Sequence, residues 1–131
     1  MNIPQLQDAL RNQIYVLNQL FVLKRRLGKC QLPDGTLRPL ERIEEYLSGS
    51  LHVAGGLLPD GAGLVMDDPQ GEPYDDRRTE IEADVIGAGD DPLFIVEVLK
   101  PIIRLTIGGR TFVIQRGQVV VAPRAVQGET A

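Results

Sequence analysis

The chain has 131 residues, a formal charge of −4 and a pI of about 4.9. That length suits one ordinary domain, or a small domain with an appended helix. The acidic balance excludes a general basic field for nucleic acid or an anionic membrane. The lone Cys30 excludes an internal disulfide and a zinc site built from cysteine pairs, and fits a reducing, cytoplasmic compartment.

The polar N-terminus, with Asp8 ahead of any apolar run, does not read as a signal or transit peptide, and no run reaches the roughly 18 apolar residues of a membrane span. The stretch from Ile3 to Leu27 opens on Pro4 and closes before Gly28, with Lys24, Arg25 and Arg26 in its last turn, which predicts one helix of about two dozen residues. Ile3, Leu6, Leu10, Gln13, Leu17, Leu20, Lys24 and Leu27 recur at alternating steps of three and four, the spacing of a coiled-coil seam. Ala9, Val16 and Leu23 on one side and Ile14 and Phe21 on the other widen that face beyond a two-stranded coil. The pattern serves either a helix packed on its own domain or a homodimer formed through Leu6, Leu10, Ile14, Leu17, Leu20 and Phe21.

A turn at Pro33-Asp34-Gly35 leads into a second, short helix with Pro39 near its start, Gly49 after its end and Leu40, Ile43 and Leu47 as its apolar stripe. The next stretch, rich in glycine, proline and aspartate, predicts loops around a short strand near Gly63 to Met66, and its glycines lack the Gly-Lys-Ser/Thr of a phosphate loop.

From Thr79 the period becomes two: Ile81, Ala83 and Val85 alternate with Glu80, Glu82 and Asp84, as on a strand with one wet face. After a turn at Gly87 to Pro92, Leu93 to Leu99 reads as a second strand, and Pro101 confines the residues after it to an edge or a bend. A two-residue loop at Gly108-Gly109 then predicts a hairpin that pairs Ile107 with Arg110, Leu105 with Phe112 and Ile103 with Ile114, leaving Arg104, Thr106, Thr111 and Val113 on the other face. Gly117 reads as a bulge before the closing strand, Gly117 to Pro123, and the tail as polar and frayed.

His52, the only histidine, has no nucleophile set beside it by a motif, and Asp67, Asp68, Asp75 and Asp76 lack the glycine and terminal glutamate spacing of a calcium loop. No catalytic, cofactor or metal site is therefore expected.

The C-terminal half, from about Gly71 to Pro123, resembles the β-wing of the GrpE family, the nucleotide exchange factors of DnaK-type chaperones. The resemblance rests on Gly71-Glu72-Pro73-Tyr74-Asp75, on Val96 to Leu99 followed by a lysine, and on Gly109-Arg110-Thr111 and Val119 to Ala122. Asp76 and Thr79 stand where the family has proline and histidine, Gln115-Arg116-Gly117 stands for its arginine-proline-alanine, and each hairpin arm is about two residues longer, an even extension that keeps every side chain on its face. About 70 residues precede the wing, where the family has a very long helix and a bundle.

The resemblance implies an α+β protein: N-terminal amphipathic helices over 1–50, as a dimerising helix or bundle, a connection over 51–70, a small antiparallel β-wing with a long C-terminal hairpin over 71–123, and a flexible tail over 124–131. It further implies a cytoplasmic, non-enzymatic homodimer without cofactors, which binds the ATPase domain of a DnaK-type chaperone and promotes ADP release, through Arg77, Arg78, Arg104, Arg110 and Val113. A homo-oligomeric adaptor that keeps the wing without exchange activity is the alternative expectation, with no nucleic acid or membrane partner in either case.

Overall fold

The computed structural model describes residues 3–48, 63–87 and 91–123. The readings made for His52, for the loops before Gly63, for the centre of the turn after Gly87 and for the tail lie outside the described residues. The elements in chain order are α1 (Ile3–Ala9), α2 (Arg11–Leu27), α3 (Arg38–Ser48), β1 (Gly63–Asp67), β2 (Pro73–Tyr74), β3 (Ile81–Val85), β4 (Leu93–Lys100), β5 (Ile102–Ile107), β6 (Arg110–Gln115) and β7 (Gly117–Pro123). The class is α+β. The strands form a three-stranded sheet in the order β1-β5-β6 and a four-stranded sheet in the order β2-β4-β7-β3.

Two compact units result, each drawn from two stretches of sequence. The first comprises Met1–Met66 with Ile103–Ile114, the second Asp67–Ile102 with Gln115–Ala131.

In the first unit the expected N-terminal helix is divided. Leu10, at φ −106° and ψ 12°, leaves helical geometry between α1 and α2, although hydrogen bonds from its N–H to the Leu6 carbonyl (3.0 Å) and from the Ile14 N–H to its own carbonyl (2.9 Å) run across the break. The departure accompanies burial of the Leu10 side chain. α2 stops at Leu27 as its sequence predicts, with Lys24, Arg25 and Arg26 against the negative end of the helix. The turn before α3 uses Gly35 at φ +83° and a hydrogen bond of 2.7 Å from the Thr36 hydroxyl to the Pro33 carbonyl.

Leu10, Leu17 and Leu20 meet Leu47 of α3, Leu64 of β1 and Ile103, Leu105 and Ile114 of the β5-β6 hairpin in one core, with Leu6, Ile14, Leu40, Tyr46, Met66, Ile107 and Phe112 packed around it. Each fully buried aliphatic side chain contributes about 1.5–3 kcal/mol through removal from water. In α3 the expected stripe is shifted: Leu40 and Leu47 turn inward and are joined by Tyr46, whereas Ile43 remains 48% exposed.

In the second unit β7 is central, antiparallel to β4 and parallel to β3. Its position between two neighbours accounts for the burial of Val119, Val121 and Ala122, and Ile81, Ile95, Val98 and Ile102 are buried with them. β4 gains two residues on β7, at Val96 and at Leu99, where the pairing steps from Ile95↔Val121 to Glu97↔Val120 and from Val98↔Val119 to Lys100↔Gln118. The irregularities therefore lie in β4. Gly117, which the sequence reading made a bulge, opens β7 in register with Ile81.

The antiparallel wing expected from Gly71 to Pro123 is corrected in two further respects. The hairpin residues Ile103–Ile114 pair with β1 and bury their apolar face against helices, because that face matches the leucine face of α2. The four-stranded sheet is mixed, since β3 and β7 run parallel with a long crossover between them.

Candidate interaction surface

The hairpin is built by its turn. Gly108 and Gly109 adopt φ +59° and +75°, the pair of positive values that a primed two-residue turn requires and that side chains resist. The Thr106 and Thr111 hydroxyls, set opposite one another by that register, lie 3.2 Å apart. Ile103, Leu105 and Ile114 are buried, with Ile107 and Phe112 half-buried on the same face.

Strand alternation places half-buried Arg104, Thr106 and Val113 and exposed Thr111 on the opposite face, and Arg110 is exposed beside the turn. Val65 of the neighbouring strand β1, whose adjacent Leu64 and Met66 turn to the core, joins that outward face and is 49% exposed. The β6 strand is tied to α1 by a hydrogen bond of 2.7 Å from Gln7 Nε2 to the Ile114 carbonyl. The arrangement is a stiff ledge with two arginines, two threonines and two valines, suited to surface contact and lacking any nucleophile–base pair.

The second unit presents the arginine pair differently from the sequence reading, which gave both residues to a partner. Arg77 has a side chain 95% exposed; its N–H donates to Asp75 Oδ1 at 2.8 Å in a local turn. Arg78 is turned inward. Its guanidinium donates to Glu80 (2.9 Å) and to the Pro73 carbonyl (3.1 Å), and lies 3.1 Å from a Glu72 carboxylate oxygen, so it clamps the opening of the four-stranded sheet.

Partial burial disfavours the charged form of both partners, but the mutual hydrogen bonds and charges outweigh it. Arg78 is raised by Glu80 and Glu72, and Glu80 is held below the usual carboxylate range by its own backbone N–H and by Arg78.

A second clamp, which sequence reasoning missed, is Arg116. It donates to the Thr79 carbonyl (3.0 Å), the Ile81 carbonyl (3.0 Å) and Glu82 (2.7 Å), and so ties the start of β7 to β3. The available signal was its place, where the expected resemblance puts a proline.

Of the positions read as a dimer seam, Leu10, Leu17 and Leu20 are buried within one chain, and Leu6 and Ile14 pack on the same core. Phe21 is 8% exposed, with the Arg25 guanidinium 5.0 Å from its ring centroid. The apolar residues of α2 that do face solvent are Tyr15, Val16 and Leu23.

Among the described residues no group of three or more His, Cys, Asp or Glu side chains is arranged to hold a metal ion, and no helix is long and apolar enough to cross a membrane. Comparison of the chain with protein families, with curated proteins and with solved structures returns no match.

Proposed function

We propose that the protein is a GrpE-like co-chaperone that binds the ATPase domain of a DnaK-type chaperone and promotes ADP release. One observation carries the reading: Pro73-Tyr74, Val96 to Leu99 and Val119 to Ala122, three of the four stretches that carry the resemblance, lie in the neighbouring strands β2, β4 and β7 of a single sheet, while the fourth, Gly109-Arg110-Thr111, belongs to the hairpin of the other sheet. An exchange factor breaks no bond; it must bind the open state of the nucleotide cleft better than the closed one. A stiff surface is sufficient for that, and no cofactor takes part. Arg104, Arg110 and Val113 on the hairpin of the first unit form one contact, and Arg77 of the second unit forms a separate one, the arginine forks meeting carboxylates of the partner.

The test is stopped-flow release of a fluorescent ADP analogue from DnaK-type ATPase domains of the same source, with Arg104→Glu/Arg110→Glu as the comparison. Accelerated release that the double variant loses, with its fold intact, supports the reading. Unchanged release with every chaperone overturns it.

A homo-oligomeric adaptor is the second reading, favoured by one observation: Arg78 of the opening motif is engaged within its own unit. Sedimentation as a stable oligomer together with no effect on ADP release selects it.

A further inference from the structure

The side of α2 that faces away from the core is uncovered. Leu17 and Phe21 point inward, while Tyr15, Val16 and Leu23 face solvent on the opposite side and take no part in the core of the unit. Among the described residues Tyr15, at 64%, is the most exposed of the large apolar side chains.

This face reads the same in both directions. Gln19, exposed, stands at the midpoint of α2, which runs from Arg11 to Leu27. One turn before it come Tyr15 and Val16, one turn after it Val22 and Leu23, and a further turn out lie exposed Asn12 at one end and exposed Arg26 at the other. Polar ends, apolar shoulders and a central amide match themselves when a second helix is laid antiparallel, which is the condition that a two-fold interface must meet.

Charge sets the occupant and its direction. From Asn12 to Leu23 the helix has no charged side chain, so a charged partner segment would find nothing there to pair with. Lys24, Arg25 and Arg26 crowd its last turn. A parallel pair would stack two such basic clusters, whereas an antiparallel pair sets each beside the first turn of the other copy, where Asp8 and Arg11 already neutralise one another. There Arg26 of one copy meets Asn12 of the other, whose amide oxygen accepts from the guanidinium.

We propose that this face of α2 pairs with the same face of a second copy, antiparallel about Gln19. Tyr15 and Val16 of each copy lie against Val22 and Leu23 of the other, and the two Gln19 amides exchange hydrogen bonds across the axis. A seam one helix wide falls short of the roughly 20–30 residues a side of a standard interface, so the pair is reversible. It lies opposite the leucine face, which is spent within the chain, and uses none of the hairpin arginines, so it stands or falls independently of the exchange-factor reading.

The test is sedimentation velocity of the full chain together with disulfide cross-linking of single-cysteine variants made on Cys30→Ser. The sedimentation coefficient should rise with concentration. Tyr15→Asp/Leu23→Asp should weaken the association at least about ten-fold with an unchanged circular dichroism spectrum, because carboxylates enter an apolar seam. Val85→Asp, at an exposed apolar position of the second unit, should leave it within about two-fold. On oxidation Gln19→Cys should cross-link to itself. Asn12→Cys and Arg26→Cys should each stay uncross-linked alone, their copies lying about 21 Å apart along the axis, and should cross-link when mixed. A concentration-independent monomer, association that Tyr15→Asp/Leu23→Asp leaves intact or that Val85→Asp weakens equally, or Asn12→Cys cross-linking to itself as readily as Gln19→Cys overturns the proposal.

Discussion

Gly117 and Ile102 are so close that a β-carbon on Gly117 would lie 2.9 Å from Ile102 Cγ1, with the Lys100 carbonyl oxygen 3.5 Å away on the neighbouring strand. Ile102 is 1% exposed, so its side chain has little room to withdraw. Gly117→Ala should therefore destabilise the protein by about 1–3 kcal/mol, the usual cost of overpacking a filled interior. Combined with Ile102→Ala the loss should be clearly smaller than the sum of the two single losses, because the obstacle is removed. Urea denaturation of the two single variants and the double variant measures this directly, and strict additivity would show that the contact is not the cause.

The two faces of the hairpin should respond unequally to truncation. Leu105 is 2% exposed in the core, so Leu105→Ala should cost about 3 kcal/mol. Thr106→Ala loses one partly exposed hydroxyl contact and should cost no more than about 1 kcal/mol. Thermal melts compare them, and equal midpoints would place the wrong face inward.

Carboxylates introduced on opposite sides of α2 separate folding from association. Leu17 is 1% exposed, so Leu17→Asp sets an unpaired carboxylate in the core and should unfold the first unit, at a cost of several kcal/mol. Tyr15 is 64% exposed, and Tyr15→Asp should leave the melting temperature within about 2 °C of the parent. Circular dichroism reports both. A Leu17→Asp protein with an unchanged melt and a smaller sedimentation coefficient would mean that the residue holds copies together.

The Arg78–Glu80 clamp carries an acid dependence. The folded-state value of Glu80 lies below the ordinary 4.5, so its contribution to stability is fully present above that value and is lost as pH falls through the lowered one. The difference in melting temperature between the parent and Glu80→Gln should hold steady from pH 7 to about pH 5 and shrink toward zero in more acidic solution. Arg78→Ala should lower the melting temperature at neutral pH, whereas Arg77→Ala, at an exposed position, should leave it unchanged.

Local pattern was enough to read the strands and the turn. Alternation at Ile81 to Val85 and the Gly108-Gly109 pair mark β3 and the hairpin because period and positive φ are properties of neighbouring residues. The partner of an apolar face is a different matter. Ile103, Leu105 and Ile114 are equally able to cover a sheet or a helix, and nothing within the hairpin says that Leu10, Leu17 and Leu20 will meet them.

The same ambiguity left the leucine face of α2 open to two readings, a helix packed on its own domain or a seam between copies. Arg78 and Arg116 were illegible in their roles for another reason: an arginine in a polar segment reads as solvated until its acceptors, such as the carbonyls of Thr79 and Ile81, are brought beside it by tertiary structure.

Residues Ile103–Ile114 complete the core that begins with α1 and α2, and this makes the order of synthesis matter. When the first 66 residues have left the ribosome, Leu10, Leu17, Leu20 and Leu64 still lack the three hairpin side chains that cover them. At translation speeds of about 5–20 residues per second the wait is roughly 2–10 s. During that interval only α3 and β1 are present to cover that leucine face. The chain is consequently most exposed to mispairing before its hairpin has emerged, and a fragment ending at Met66 should be less stable than the whole chain, which circular dichroism of that fragment would check.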